Sequence, residues 1–208
     1  MLTHSVTVAV TLAFLAAARQ SIMWWHESKI HFPAVKRRFG TDMLIVLWVG
    51  YLWLLALMLM APGEPVTTLS MAAIIVFVSA AGLRLWAFST LGRFYSAAVV
   101  VYEGHAIVRS GPYRVLAHPL YLGLTLEVVA IAVSTASWLG YLVAIVVIGA
   151  IRVQIRREEM ALTEAFGEAY SEYRMRAWDI SDGWWNVEPL GDRNFIRSHG
   201  PAQGGDAI

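Results

Sequence analysis

The stretch Met43 to Met60 runs for eighteen residues without a charged side chain, close to the length of helix that the hydrocarbon core of a bilayer demands. It has company. Val6 to Trp25, Leu69 to Phe88, Leu120 to Val133 and Trp138 to Ile151 are also apolar, and 58% of the 208 residues are hydrophobic. That composition is too apolar for an ordinary soluble domain, so the chain reads as an integral membrane protein.

The basic residues then assign sides. Met1 to Ser5, Ala61 to Thr68 and Ser134 to Ser137 contain none of the sixteen Lys and Arg residues; all sixteen fall in the other connections, the C-terminal tail, or helix ends such as Arg19, Arg84 and Arg152. By the positive-inside rule this predicts five spans, N-terminus out and C-terminus in, in a bacterial inner membrane. The leader Met1 to Ser5 has no Lys or Arg, which separates the first run from a secretory signal. Leu120 to Val133 and Trp138 to Ile151 are short for spans, and predict a thin, tilted or re-entrant hairpin that returns the chain to the same side. From Ile155 to Arg176, Leu162, Phe166, Ala169, Tyr170 and Tyr173 recur at helical spacing, predicting an amphipathic cytoplasmic helix that continues the last span. Trp178, Trp184 and Trp185 mark an interfacial segment, and Gly200 to Ile208 a disordered end. The expected fold is all-α: a polytopic membrane helical bundle of about five transmembrane helices with a C-terminal cytoplasmic amphipathic helix. Residues 1–68 form an anchor pair, 69–177 the core, and 178–208 the tail.

Composition also removes function classes. A formal net charge of +1 gives no bulk attraction to nucleic acid, the absence of Cys excludes thiolate sites and disulfides, and the six His show no metal-binding spacing. No dinucleotide-binding, Walker, nucleophile-elbow or zinc-protease motif occurs.

The polar interval His105 to Tyr121 remains. Gly111-Pro112 predicts a turn, and Pro119 suits the first helical position with His118 flanking it. This sets the His118 imidazole, the Tyr121 hydroxyl and free backbone N–H groups at one helix mouth, which favours an anionic group. Taken alone, His118 fits helix capping equally well, Glu158-Glu159 fits a solvated pair better, and Arg109 and Arg114 fit positive-inside anchors. Glu127 lies mid-way along an apolar run, so it should face the bundle interior and find a partner; Arg84 is nearest by depth.

Leu91-Gly92-Arg93-Phe94-Tyr95-Ser96, His105 to Val108, Gly111-Pro112-Tyr113-Arg114, His118-Pro119-Leu120-Tyr121-Leu122-Gly123 and Glu158-Glu159-x-x-Leu162-x-x-x-Phe166-Gly167-x-x-Tyr170-x-x-Tyr173-x-x-Arg176 resemble, in order and spacing, the isoprenylcysteine carboxyl methyltransferase family. The resemblance covers roughly Arg84 to Arg176 and is more specific for the membrane methyltransferase superfamily than for substrate. It implies an S-adenosylmethionine pocket open to the cytosol, with cofactor contacts at His105, Ala106, Ile107, Val108, Tyr113, His118, Pro119, Leu120, Tyr121 and Glu158, and no metal. The chemistry agrees: a helix mouth suits the cofactor carboxylate, a carboxylate such as Glu158 suits its ammonium, sulfonium or ribose hydroxyls, and Tyr113 and Tyr121 suit adenine or the sulfonium.

The implied activity moves a methyl group to a lipophilic or lipidated acceptor arriving from the membrane lipid, an isoprenylcysteine-type carboxylate or a related oxygen, sulfur or nitrogen nucleophile. A carboxylate or thiolate needs only alignment and water exclusion. An amine or hydroxyl needs a base, for which Glu127 and Tyr121 are the candidates. Where the family resemblance places an Arg to clamp a substrate carboxylate, this chain has Gln154; Arg157, three residues on, can share that face. A sterol-reductase-like enzyme with a nicotinamide cofactor and a non-catalytic accessory protein are the alternatives.

Overall fold

The computed structural model describes residues 35–39, 41–60, 68–95, 99–102, 106–135 and 137–177. The run Val6 to Trp25, most of the Ala61 to Thr68 connection, His105 and the tail from Trp178 onward lie outside the described residues.

Five helices carry the described fold: α1 (Thr41–Met60), α2 (Thr68–Leu91), α3 (Pro119–Thr135), α4 (Trp138–Phe166) and α5 (Glu168–Arg176). Two stretches, Met71–Phe94 and Trp138–Phe166, are long and apolar enough to cross a bilayer. Inside the bundle, Leu47, Tyr51 and Leu54 of α1 meet Phe77 of α2, Val128 and Ile131 of α3, and Val147, Ile151 and Ile155 of α4. These residues recur every three or four positions, so one stripe of each helix is buried. The opposite faces are apolar as well: Ile45, Trp53, Ile75 and Ile145 are all more than half exposed. An apolar surface around an apolar core is the arrangement of a bundle whose solvent is lipid.

The fold is helical as expected, apart from one short ribbon among the described residues. Strand β1 (Val35–Phe39) pairs antiparallel with β2 (Val99–Tyr102), Phe39 opposite Val99 and Val35 opposite Tyr102. The β2 sequence Val-Val-Val-Tyr is all β-branched and aromatic, too short for a stable helix and well suited to an extended ladder. The ribbon joins the segment before α1 to the segment after α2, which brings these two connections to one end of the bundle.

One correction concerns the amphipathic helix. It does not run unbroken from Ile155 to Arg176. Helix α4 continues for 29 residues, about 43 Å, and so outruns a hydrocarbon core of about 30 Å. It stops at Gly167, whose φ of 52° is left-handed and whose N–H bonds to the Thr163 carbonyl at 2.9 Å. Helix α5 then packs Tyr170, Tyr173 and Ala177 around Ala117, with Ile107, Leu162 and Phe166 alongside. The break resets the helical phase, and Ala169, expected on the buried stripe, is exposed.

Candidate functional site

The site begins with a glycine. Gly111 has φ of 56° and its backbone presses so closely on the end of α2 that a β-carbon would come within 2.6 Å of Thr90 Oγ1. Only glycine combines that dihedral with that approach. The chain then enters a short 3-10 turn, Gly111–Arg114, which buries Pro112 and Tyr113. Helix α5 latches onto this turn: the Tyr173 hydroxyl lies 3.0 Å from the Tyr113 carbonyl and 3.3 Å from that of Leu116, and Arg109 donates through Nη2 to the Ala169 carbonyl at 3.0 Å. Burial pushes the Tyr173 phenol up to about 12, with nearby Arg109 opposing the shift and Glu158 adding to it. The hydroxyl therefore stays protonated and able to donate.

Pro119 opens α3, as its missing N–H allows. The preceding His118 is buried, and its Nε2 lies 3.3 Å from Glu159 Oε1. The same carboxylate oxygen receives Arg174 Nε at 2.9 Å. Glu159 is therefore no solvated surface residue; it ties the mouth of α3 to α4 and α5. His118 thus contacts the second carboxylate of the Glu158-Glu159 pair.

Glu158 faces a group of phenols instead. Burial raises the Tyr113 phenol well above its ordinary value, and Glu158 raises it further. Tyr170 is raised by burial first, then by Glu158 and Glu159, with Arg174 opposing. The Tyr121 phenol lies against both Glu158 and Gln154. Tyr113 is buried with an unpartnered hydroxyl, and the Gln154 amide is buried beside the Tyr121 phenol. Donors and acceptors from the turn, α3, α4 and α5 thus converge beside one carboxylate. A buried polar group without a partner in the protein calls for an ordered water, an ion or a ligand.

Other expected positions fall around this centre. Ala106, Ile107 and Val108 form a stretch that belongs to no helix or strand, and Ile107 packs against the α5 cluster. Leu120 packs against Phe88 and Tyr95, whose rings meet edge-on at 4.8 Å between centroids. Arg157 is half-buried and engaged in a polar interaction of its own. Glu127 stands apart, six residues or about 9 Å along α3 from Tyr121. It is fully buried, bonded to Arg84 Nη1 at 2.7 Å, with the Tyr51 hydroxyl at 3.3 Å. Gly123 makes this pair possible, since a β-carbon there would overlap the Arg84 side chain. Sequence reasoning missed Arg174 and the latching role of Tyr173; nothing in their spacing distinguishes them from an ordinary amphipathic face.

The sequence model of the Isoprenylcysteine carboxyl methyltransferase (ICMT) family matches residues 72–164. A Bacillus subtilis (strain 168) protein named "Uncharacterized protein YpbQ" is 31% identical over 116 residues, which cover 55% of this chain and 68% of that protein. The chain belongs to the isoprenylcysteine carboxyl methyltransferase family. As a member of that family it is a membrane methyltransferase in the broad sense. The family match contains Tyr113, His118, Tyr121, Gln154, Glu158 and Glu159, and stops before α5. The latch formed by Tyr170, Tyr173 and Arg174 therefore lies beyond it.

Proposed function

We propose that this protein transfers the methyl group of S-adenosylmethionine to a lipophilic acceptor that enters from the bilayer, while the cofactor enters from the cytosol. The observation that carries the reading is the convergence on Glu158 of Tyr113, whose buried hydroxyl is unpartnered, and Tyr121. The groups present fit the cofactor. Glu158 would meet its ammonium or ribose hydroxyls, Tyr113 Oη would donate to it, and the backbone of Ala106 to Val108, which belongs to no helix or strand, would border the adenine. His118, Pro119 and Leu120 would supply the helix mouth that receives its carboxylate. When bound, the cofactor supplies an electrophilic methyl on sulfur, and the protein's task is alignment and exclusion of water.

The charge distribution supports five spans with the N-terminus out and the C-terminus in, and residues 69–177 as the methyltransferase core. The Glu158 mouth then opens to the cytosol and the apolar faces of α2 and α4 to lipid. Arg157 and Tyr121 are the groups that would border the reacting atoms. Glu127, held by Arg84 and Tyr51, would support the bundle. The test is binding of S-adenosylhomocysteine against NADPH to the detergent-purified protein. The reading predicts saturable binding of the first and none of the second; the reverse preference overturns it.

A further inference from the structure

We propose that the lipid-facing side of α4, at the end that carries Glu158, binds an acidic phospholipid: its phosphodiester headgroup on Arg152 and Arg156, and an acyl chain along the apolar stripe beneath them. This site is separate from the one built around Glu158 and needs only that α4 crosses the bilayer, for which it is long and apolar enough. The outer face of α4 exposes Trp138, Leu142, Ile145, Val146 and Val153, and then Arg156. These positions recur every three or four residues, so they form one stripe that turns from apolar to basic. Arg152, half-buried, lies one turn before Arg156 on the same side of the helix.

The length of the stripe fixes its depth. Trp138 and Arg156 are separated by about 27 Å of helix, close to the roughly 30 Å of a hydrocarbon core. A tryptophan at one boundary and a guanidinium at the other fit the two polar interfaces, and Arg156 then stands at the level of the lipid phosphates. Among the described residues Arg156 forms no ion pair. Like charges one turn apart repel, and an anion bridging Arg152 and Arg156 turns that repulsion into two charge-assisted contacts.

The ribbon adds charge beside this helix. Strand β2 packs against α4, and its partner β1 carries Lys36, Arg37 and Arg38. Basic clusters of this size next to a membrane span attract acidic headgroups. The surroundings select the kind of anion. A zwitterionic headgroup would bring its own cation to a basic rim. A free phosphate would gain nothing from Ile145, Val146 and Val153, whereas a lipid covers them with its chain while its phosphate meets the guanidiniums.

The experiment uses the full chain, purified in dodecyl maltoside and stripped of lipid. Dioleoylphosphatidylglycerol, dioleoylphosphatidylcholine and glycerol 3-phosphate are the probes, with binding read by native mass spectrometry and by melting temperature. Wild type should retain the phosphatidylglycerol preferentially and melt higher with it than with phosphatidylcholine. Arg156→Gln should weaken phosphatidylglycerol binding about fivefold and leave the weak phosphatidylcholine binding unchanged. Arg176→Gln, which removes an exposed arginine of α5 paired with Glu172, should bind phosphatidylglycerol as wild type does. Equal binding of the two lipids by wild type, undiminished phosphatidylglycerol binding in Arg156→Gln, or an equal loss in Arg176→Gln would overturn the site. Glycerol 3-phosphate displacing the lipid at equal concentration would overturn it as well, because the anion alone would then suffice.

Discussion

His118 Nε2 lies 3.3 Å from Glu159 Oε1 across forty-one residues of sequence, and Arg174 Nε reaches the same oxygen at 2.9 Å. One carboxylate thus holds the start of α3, the C-terminal half of α4 and helix α5 in register. Its neighbour Glu158 is left to face the phenols of Tyr113 and Tyr121. Adjacent residues on a helix point about 100° apart, and here that angle turns Glu159 toward His118 and Arg174 and Glu158 toward the phenols.

Glu159→Gln should therefore act mainly on stability. Losing the charge weakens two hydrogen bonds to a buried group, at a cost of about 1–3 kcal/mol. Arg174→Gln should cost less, because the Arg174 side chain is 27% exposed and solvent screens its contribution. Thermal unfolding in detergent checks both, with the larger drop expected for Glu159→Gln.

The buried Arg84 and Glu127 pair should be intolerant of single replacement. Glu127→Leu strands a guanidinium inside the bundle and should destabilise by about 3–5 kcal/mol. The double variant Arg84→Met with Glu127→Leu should recover most of that loss, since the cost lies in the unpaired charge. A double-mutant cycle in denaturant measures it; additive losses would show that the pair is not coupled.

Gly111→Ala should disturb the turn that buries Tyr113. The left-handed backbone alone costs a non-glycine residue about 1–2 kcal/mol, and the new methyl would overlap Thr90. Both a lower melting temperature and weaker S-adenosylhomocysteine binding are expected. A variant that melts early but binds as wild type would show that the turn does not position the ligand-facing phenol.

Alkaline pH should loosen the latch between α5 and the turn. An unfolded tyrosine ionises near 10.0, whereas Tyr173 in the folded protein is pushed up to about 12. The native state keeps a proton that the unfolded state has lost, so this contribution is whole below 10.0 and disappears as pH rises through about 12. Buried Tyr113 and Tyr170 shift in the same sense. Melting temperatures taken across this range should fall for wild type and fall less steeply for Tyr173→Phe.

Much of the fold was legible because lipid imposes a simple code. Apolar length and the segregation of Lys and Arg mark helices such as α2 and the α3–α4 hairpin, and the cost of a mid-helix carboxylate pointed from Glu127 to Arg84. The short ribbon was not legible: Val99 to Tyr102 reads as part of an irregular connection until β1, some sixty residues earlier, is known to pair with it. Nor was the break at Gly167, because a continuous stripe from Leu162 to Tyr173 hides a phase change that one left-handed residue introduces. At the site, the family resemblance marked Tyr113, Tyr121 and Glu158, but spacing alone could not decide which of two adjacent carboxylates meets His118. That depends on the rotation of α4 against α3, a tertiary quantity.

The central claim, that Glu158 is the carboxylate of a cofactor pocket, is tested most directly by calorimetric titration of S-adenosylhomocysteine into wild type, Glu158→Gln and Glu159→Gln at a temperature where all three remain folded. The account predicts saturable binding to wild type, a loss of roughly ten- to a hundredfold in Glu158→Gln, and a distinctly smaller loss in Glu159→Gln. Wild-type affinity in Glu158→Gln, or equal losses in the two variants, would contradict it.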